Sequence, residues 1–128
     1  MRDDEEIEKI YTRESDVKEI VDRIRNLSFE DLKKSRHYEM SVLQKNTDEE
    51  KLKEYFRKFD RIKMVFYRRR KSGYVNYDFH YEIEDGTFIV YAIDIDGKPP
   101  VLINGFHADK NFKRFAKAVA RRYWKKMV

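Results

Sequence analysis

The chain contains no cysteine, only two prolines and only four glycines among its 128 residues. Without cysteine it has no disulfide framework, no thiolate ligand for a metal ion and no cysteine nucleophile. It has no run of about 18 apolar residues and no secretory signal pattern, so we expect a cytoplasmic protein without a membrane partner. Charged residues make up 41% of the chain, which together with the scarce proline and glycine is typical of a heat-adapted surface rich in ion pairs.

Several catalytic templates are also absent. The chain has no glycine-rich phosphate loop, no G-x-S-x-G nucleophile motif, no H-E-x-x-H motif and no helical pair of carboxylates suited to two metal ions. Its histidines, His37, His80 and His107, do not have the spacing of metal ligands on one helix or strand. We therefore predict no metal site and no cofactor.

Charge is distributed unevenly along the chain. Residues 1–60 carry 14 Lys and Arg against 17 Asp and Glu, a net charge of −3, whereas residues 61–128 carry 15 against 7, a net charge of +8. Near the C-terminus, basic and apolar residues recur at helical spacing on opposite sides. The basic positions, which we call the cationic ridge, are Lys110, Lys113, Arg114, Lys117, Arg121 and Lys125. Such a ridge is typical of a surface that binds a polyanion, above all nucleic acid.

The hydrophobic periodicity predicts one α+β domain over residues 1–128. Residues 1–13 are expected to fray or to form a short helix. An i, i+3, i+4, i+7 pattern predicts a helix over 16–26. Capping patterns mark two further helix starts, Ser28 with Asp31 and Thr47 with Glu50. The first part of the chain is therefore expected to be helical.

From residue 62 apolar side chains alternate with polar ones, which predicts a four-stranded antiparallel β-meander followed by the basic amphipathic C-terminal helix. Two-residue turns at Ser72-Gly73 and Asp85-Gly86 would join the first three strands. These turns would place Phe66 opposite Phe79. The register predicts a single core face that carries Ile62, Met64, Phe66, Phe79, Tyr81 and Ile83.

The run Arg68-Arg69-Arg70-Lys71 ends the first predicted strand and continues into the hairpin, with Tyr74 close behind. Guanidinium groups in this position can hold phosphates while a tyrosine stacks on an unpaired base. The alternative is a solvated turn whose charges discourage edge-to-edge association. On the predicted core face, Arg68, Tyr77 and Asp94 would form a row that serves either as a phosphate clamp or as a structural ion pair.

His80 and His107 are the candidates for acid–base catalysis, because imidazole titrates closest to neutral pH. His107 is favoured because it precedes the basic C-terminal helix, whose first N–H groups attract a phosphate. His80 is expected in mid-strand on the second, mixed face of the sheet. For each histidine, the alternative is a structural or exposed side chain, which is the more common case.

The order of elements resembles the RelE-like ribonuclease toxin superfamily. The segment from His37 to Leu52, HYEMSVLQKNTDEEKL, is similar to a histidine-led helix and acidic capping segment found in small domains of that superfamily. Those domains usually have an arginine four residues after the histidine, where this chain has Ser41. A basic residue eight positions after the histidine is kept as Lys45.

The resemblance implies metal-independent cleavage of RNA. A base activates a ribose 2′-hydroxyl for attack on the adjacent phosphate, an acid protonates the leaving oxygen, and cations stabilise the extra charge. It also implies that a small antitoxin-like protein neutralises the enzyme. From the residues, we assign acid–base roles to His107 or His80 and phosphate clamping to Arg68 and Arg70. The expected RNA contacts are Arg68, Arg69, Arg70, Lys71, Tyr74, Lys110, Lys113, Arg114, Lys117 and Arg121.

Two other functions fit the same sequence. One is a domain that binds RNA or another polyanion without cleaving it, and the other is a protein-interaction module with an acidic partner. Binding needs only charge and exposed aromatic rings, whereas cleavage needs an acid–base group beside the cationic surface. The sequence leaves open whether the RNA is ribosome-associated, whether the protein forms a homo-oligomer, and what covers the mixed face of the sheet.

Overall fold

The computed structural model describes residues 7–45 and 47–128, and six strands in this part of the chain form one sheet. The strands are β1 (Ile7–Tyr11), β2 (Lys33–Lys34), β3 (Ile62–Arg69), β4 (Val75–Glu82), β5 (Phe88–Asp94) and β6 (Val101–Ala108). The helices are α1 (Glu14–Val21), α2 (Arg36–Gln44), α3 (Glu49–Tyr55) and α4 (Phe112–Tyr123), with 3-10 turns at Phe29–Asp31, Phe59–Arg61 and Trp124–Lys126. The strand order is β1-β3-β4-β5-β6-β2, in which β2 runs parallel to β6 and the other pairs are antiparallel.

Helices cover both faces of the sheet. One core layer lies between the sheet and α1, α2 and α3, and includes Val17, Tyr38, Leu52, Phe56, Phe79, Tyr81, Tyr91 and Leu102. The second layer lies under α4 and includes Ile7, Ile10, Met64, Phe66, Phe88, Val90, Phe112 and Val119. None of the helices within the described ranges is both long enough and apolar enough to cross a membrane.

The α+β class is confirmed, but the described sheet is six-stranded and mixed rather than a four-stranded antiparallel meander. Residues 7–11, expected to fray or to form a helix, are β1 and pair with β3; residues 1–6 lie outside the described part. A bulge after Ile7 breaks the alternation of β1, so its buried side chains, Ile7 and Ile10, have helix-like spacing. Strand β2 has two residues, too few to produce a pattern.

Both hairpins are shifted by one residue from the predicted registers. Val65, not Phe66, lies opposite Phe79. In the next pair, Tyr81 lies opposite Ile89 rather than Val90. Because neighbouring side chains point to opposite faces, a shift of one residue transfers side chains between the two core layers.

The shift arises in the turns. The backbone N–H of Arg70 donates to the carbonyl oxygen of Tyr74 at 2.7 Å, and Gly73 lies between them with φ +87°. Gly86, with φ +86°, occupies the same place before Thr87 in the next hairpin. Each loop therefore has three residues with a glycine in the left-handed conformation, whereas the prediction used two-residue loops.

The helix starts also differ in detail from the predictions. Helix α1 ends at Val21 rather than at residue 26. The Ser28 capping box forms, but it begins a 3-10 turn instead of a helix. Helix α3 is capped by Asp48, whose carboxylate accepts from the backbone N–H of Lys51 at 3.1 Å, one residue after the predicted Thr47. These are boundary errors of the size expected when two neighbouring residues can both cap.

Candidate functional site

A cleft with a volume of about 430 Å³ opens on the α4 face of the sheet. Strands β3, β4, β5 and β6 line it, together with residues from the start of α2, from the segment before α4 and from α4 itself. Its charged and polar lining consists of His37, Arg68, Arg70, Asp78, His80, Asn104 and Lys110. Three cationic side chains thus face one carboxylate, which makes the cleft attractive to anions.

A chain of hydrogen bonds fixes the two arginines of the cleft. Arg68 Nε donates to Asp78 Oδ2 at 2.5 Å, and the side chains are only 14% and 8% exposed. Asn76 Nδ2 donates to the other Asp78 oxygen at 2.7 Å, and Arg70 Nε donates to Asn76 Oδ1 at 3.2 Å. Both guanidinium groups are therefore oriented before any ligand arrives, which lowers the entropy cost of holding an anion.

The ring of His80 forms part of the cleft floor. Its centroid lies 4.4 Å from that of Phe66 and 5.8 Å from that of Phe115, and the residue is 3% exposed. Burial lowers the pKa of His80 from its ordinary 6.5 to about 4, although the nearby Asp78 carboxylate opposes the shift. The imidazole is therefore neutral at pH 7.

The neutral imidazole has a defined tautomer. His80 Nδ1 lies 3.2 Å from the carbonyl oxygen of Met64. Because a carbonyl oxygen only accepts hydrogen bonds, the proton is on Nδ1, and Nε2 retains its lone pair. At neutral pH, His80 can accept a proton or a hydrogen bond through Nε2, but it has no proton there to donate.

His37 and Lys110 also line the cleft, and both are exposed. His37 is the second residue of α2, whose first turn is fixed because Ser35 Oγ accepts from the backbone N–H of Tyr38 at 3.0 Å. Lys110 precedes α4. The cleft therefore combines an exposed imidazole, a buried neutral imidazole and three cations.

The remaining residues of the basic run do not join this cleft. Arg69 points to the other face of the sheet, where its Nε donates to Glu8 Oε2 at 3.0 Å. Lys71 is exposed in the hairpin. Tyr74 is 45% exposed, and its hydrogen bond to Asp94 raises the pKa of its hydroxyl. The basic run is thus divided between two faces and a loop, as the alternation of a strand requires.

The predicted row of Arg68, Tyr77 and Asp94 does not form. Tyr77 lies on the α1–α3 face, where its hydroxyl accepts from Arg23 at 3.3 Å. The one-residue register shift is the cause, because it exchanges Tyr77 for Asn76 and Asp78 on the face of Arg68.

His107 also lies away from the cleft. It belongs to β6 rather than to the junction before α4, and it lines a pocket with Ser41 and Lys45 on the α1–α3 side of the sheet. Its Nε2 lies 2.7 Å from Thr87 Oγ1. The structure therefore does not bring His107 together with Arg68 and His80.

Within the C-terminal helix, the predicted division into two faces is present. Phe112 and Val119 are on the buried face of α4. Asn111 caps the helix, because its side-chain oxygen accepts from the backbone N–H of Arg114 at 2.9 Å. The ridge residues Lys113, Arg114, Lys117 and Arg121 are exposed. Of residues 109–127, only Lys110 and Phe115 line the cleft. Most of the cationic ridge therefore faces solvent outside the cleft.

Sequence reasoning missed the hydrogen-bonding residues of the cleft. Asn76 and Asp78 lie at alternate positions with His80 in β4, three buried polar side chains on one face of a central strand. Such a row is rare in a core because buried polar groups need partners. That row is the signal that could have identified the site before the structure.

No protein-family model, curated protein or solved structure matches the chain. In the described ranges, no group of three or more His, Cys, Asp or Glu side chains is arranged to hold a metal ion.

Proposed function

We propose that the protein binds RNA in the cleft and cleaves it without a metal ion, in the manner of the RelE-like ribonuclease toxins. One observation carries the proposal: Arg68, Arg70 and Lys110 line the same cleft as His37 and His80. Cleavage requires acid–base groups beside a cationic surface, whereas simple binding does not.

The cations would hold the phosphate at the cleaved bond. Arg70 and Lys110 supply N–H donors, while Arg68 is held by Asp78 and adds positive charge to the cleft. As the pentacoordinate phosphorus forms, another negative charge develops on its oxygens. Fixed donors stabilise that state more than the starting phosphate because they need no reorganisation.

The two imidazoles would share the proton transfers. The ribose 2′-oxygen forms a bond to phosphorus and gives its proton to His80 Nε2, while the bond from phosphorus to the 5′-oxygen breaks and that oxygen takes a proton from His37. His80 is a weak base in the free protein. A bound phosphate would raise its pKa, because the anion stabilises the imidazolium. The products are a 2′,3′-cyclic phosphate and a 5′-hydroxyl.

A second candidate function is RNA binding without cleavage. The low pKa of His80 favours it, because a base that titrates near pH 4 is poorly matched to chemistry at pH 7. The cations of the cleft serve both functions, so only an activity assay separates them.

If the protein cleaves RNA, a small antitoxin-like protein would inhibit that cleavage by covering the cleft.

The test is cleavage of labelled single-stranded RNA in EDTA, with and without ribosomes. Arg70→Gln should slow cleavage about 100-fold, because it removes a charged donor to the phosphate. His37→Ala should also abolish most of the activity. Mass spectrometry of the products should find a cyclic phosphate at each new 3′ end.

Arg69→Gln is the matched control, since it makes the same change one residue away on the opposite face of the sheet. It should leave the cleavage rate within about twofold of the original. Equal losses in Arg69→Gln and Arg70→Gln would contradict the assignment of the cleft. RNA that is bound but stays intact, with or without ribosomes, would support the binding function instead.

A further inference from the structure

The cleft continues around the sheet edge formed by β6. Asn104 and Phe106 line the cleft, and they also line a second pocket of about 510 Å³, which we call the far pocket, on the α1–α3 side. The register of β2 with β6 covers only Val101 and Leu102, so the outer half of β6 lies beyond the end of β2. Phe106 is 40% exposed where the two cavities meet.

The far pocket has its own cation. Lys45 is exposed at the C-terminal end of α2 and lines the pocket. Asp48 lines it too, but its carboxylate caps α3 by accepting from the backbone N–H of Lys51. A lysine beside an aromatic side chain is a combination that suits one nucleotide of a single strand, because the cation holds the phosphate and the ring stacks on the base.

His107 lines the far pocket, and a hydrogen bond holds its ring. The carboxylate of Asp85 can only accept, so the Thr87 hydroxyl donates to it, and the Thr87 oxygen accepts from His107 Nε2. With the ring proton on Nε2, the lone pair is on Nδ1. No described residue donates a hydrogen bond to that atom. An acceptor so placed suits a ribose 2′-hydroxyl, the group that distinguishes RNA from DNA.

We propose that a single RNA strand bound in the cleft crosses the outer half of β6 over Phe106 and enters the far pocket. There Lys45 holds a second phosphate and His107 Nδ1 accepts a hydrogen bond from a ribose 2′-hydroxyl. This inference rests on the proposed function and adds to it the path of the RNA and a second nucleotide site. The protein therefore selects single strands long enough to reach both cavities.

The test compares a trinucleotide, which occupies the cleft alone, with a 12-nucleotide oligouridylate that can span both cavities. All proteins carry His37→Ala so that the RNA stays intact. Lys45→Gln should weaken binding of the 12-mer about threefold to tenfold and reduce its salt slope by about 0.7, the loss of one phosphate contact. Trinucleotide binding, followed by NMR chemical shifts, should not change.

Lys33→Gln is the matched control, because it removes the same charge from an exposed position that lines neither cavity. It should leave both affinities unchanged. His107→Phe keeps the ring but removes both nitrogen atoms, so it should reduce the preference of the 12-mer site for RNA over DNA. Where thermal melting shows His107→Phe to be poorly folded, Lys45→Gln decides the question alone.

The failures of the two proposals are distinguishable. An unchanged 12-mer affinity in Lys45→Gln, or an equal loss for the trinucleotide, overturns the path across β6 while the cleft assignment stands. Arg70→Gln should weaken both oligonucleotides. If neither oligonucleotide binds at low salt to the protein that carries His37→Ala alone, the proposed function itself fails.

Discussion

His80 lies among phenylalanine rings, and its Nδ1–H donates a hydrogen bond to the carbonyl oxygen of Met64. Its folded-state pKa is about 4, below the ordinary 6.5. Between these values the unfolded chain binds a proton that the folded protein excludes. The contribution of this residue to the free energy of unfolding is therefore largest above pH 6.5. It decreases by about 3 kcal/mol in total as the pH falls towards 4.

His80→Asn should remove this part of the acid sensitivity, because asparagine retains an N–H donor but does not titrate. Urea unfolding at pH 7 and pH 4.5 measures the change in the free energy of unfolding for each protein. His37→Asn is the control, since it removes an exposed imidazole. A variant with His80→Asn that loses as much stability between the two pH values as the original protein would show that His80 is not buried in its neutral form.

At the scale of elements, the sequence predicts the kinds of secondary structure better than their pairing. The alternation over β3, β4 and β5 and the amphipathic pattern of α4 locate these elements within a few residues. The register depends on the conformation of one glycine in each turn, Gly73 and Gly86. Loops of two and three residues have similar sequences, so local patterns do not decide between them.

The conformation of Gly86 gives a prediction about this turn. Its φ of +86° disfavours a side chain, although the nearest atom to an added Cβ is 3.5 Å away. Gly86→Val should lower the free energy of unfolding by about 1–3 kcal/mol, because a β-branched residue is strained in the left-handed region. Gly86→Asn should lower the free energy of unfolding by clearly less, because asparagine tolerates the left-handed region.

Chemical denaturation of both Gly86 variants measures the difference. The same pair of substitutions at Gly73, where an added Cβ meets nothing within 4 Å, provides a second turn for comparison. Equal losses for valine and asparagine would mean that crowding, rather than the backbone angle, controls the turn.

At the scale of the whole molecule, the candidate site joins parts of the chain that are distant in sequence. The cleft contains His37 from α2, Arg68 and Arg70 from around β3, and Lys110 from before α4. Residue types and charge identify Arg68, Arg70, His80 and Lys110 as candidates. Their convergence depends on the sheet register and on where α4 packs, and neither is encoded in a local pattern.

The basic residues of the C-terminal half belong to two different surfaces, the cleft and the cationic ridge. Lys110 lines the cleft, whereas Lys117 is exposed on the ridge and does not. If RNA binds in the cleft, Lys110→Gln should weaken binding at all salt concentrations, because it removes a direct phosphate contact. Lys117→Gln should reduce only the long-range electrostatic attraction between the protein and the RNA. This attraction extends over a Debye length of about 30 Å at 0.01 M salt but about 8 Å at 0.15 M.

Association and dissociation rates with fluorescent RNA at these two salt concentrations test the distinction. Lys117→Gln should slow association at 0.01 M, match the original protein at 0.15 M, and leave dissociation unchanged, because steering acts before contact. Lys110→Gln should accelerate dissociation in both conditions. A Lys117→Gln protein with faster dissociation at 0.15 M would mean that RNA contacts the ridge directly, and the RNA-binding surface would then have to extend from the cleft along α4.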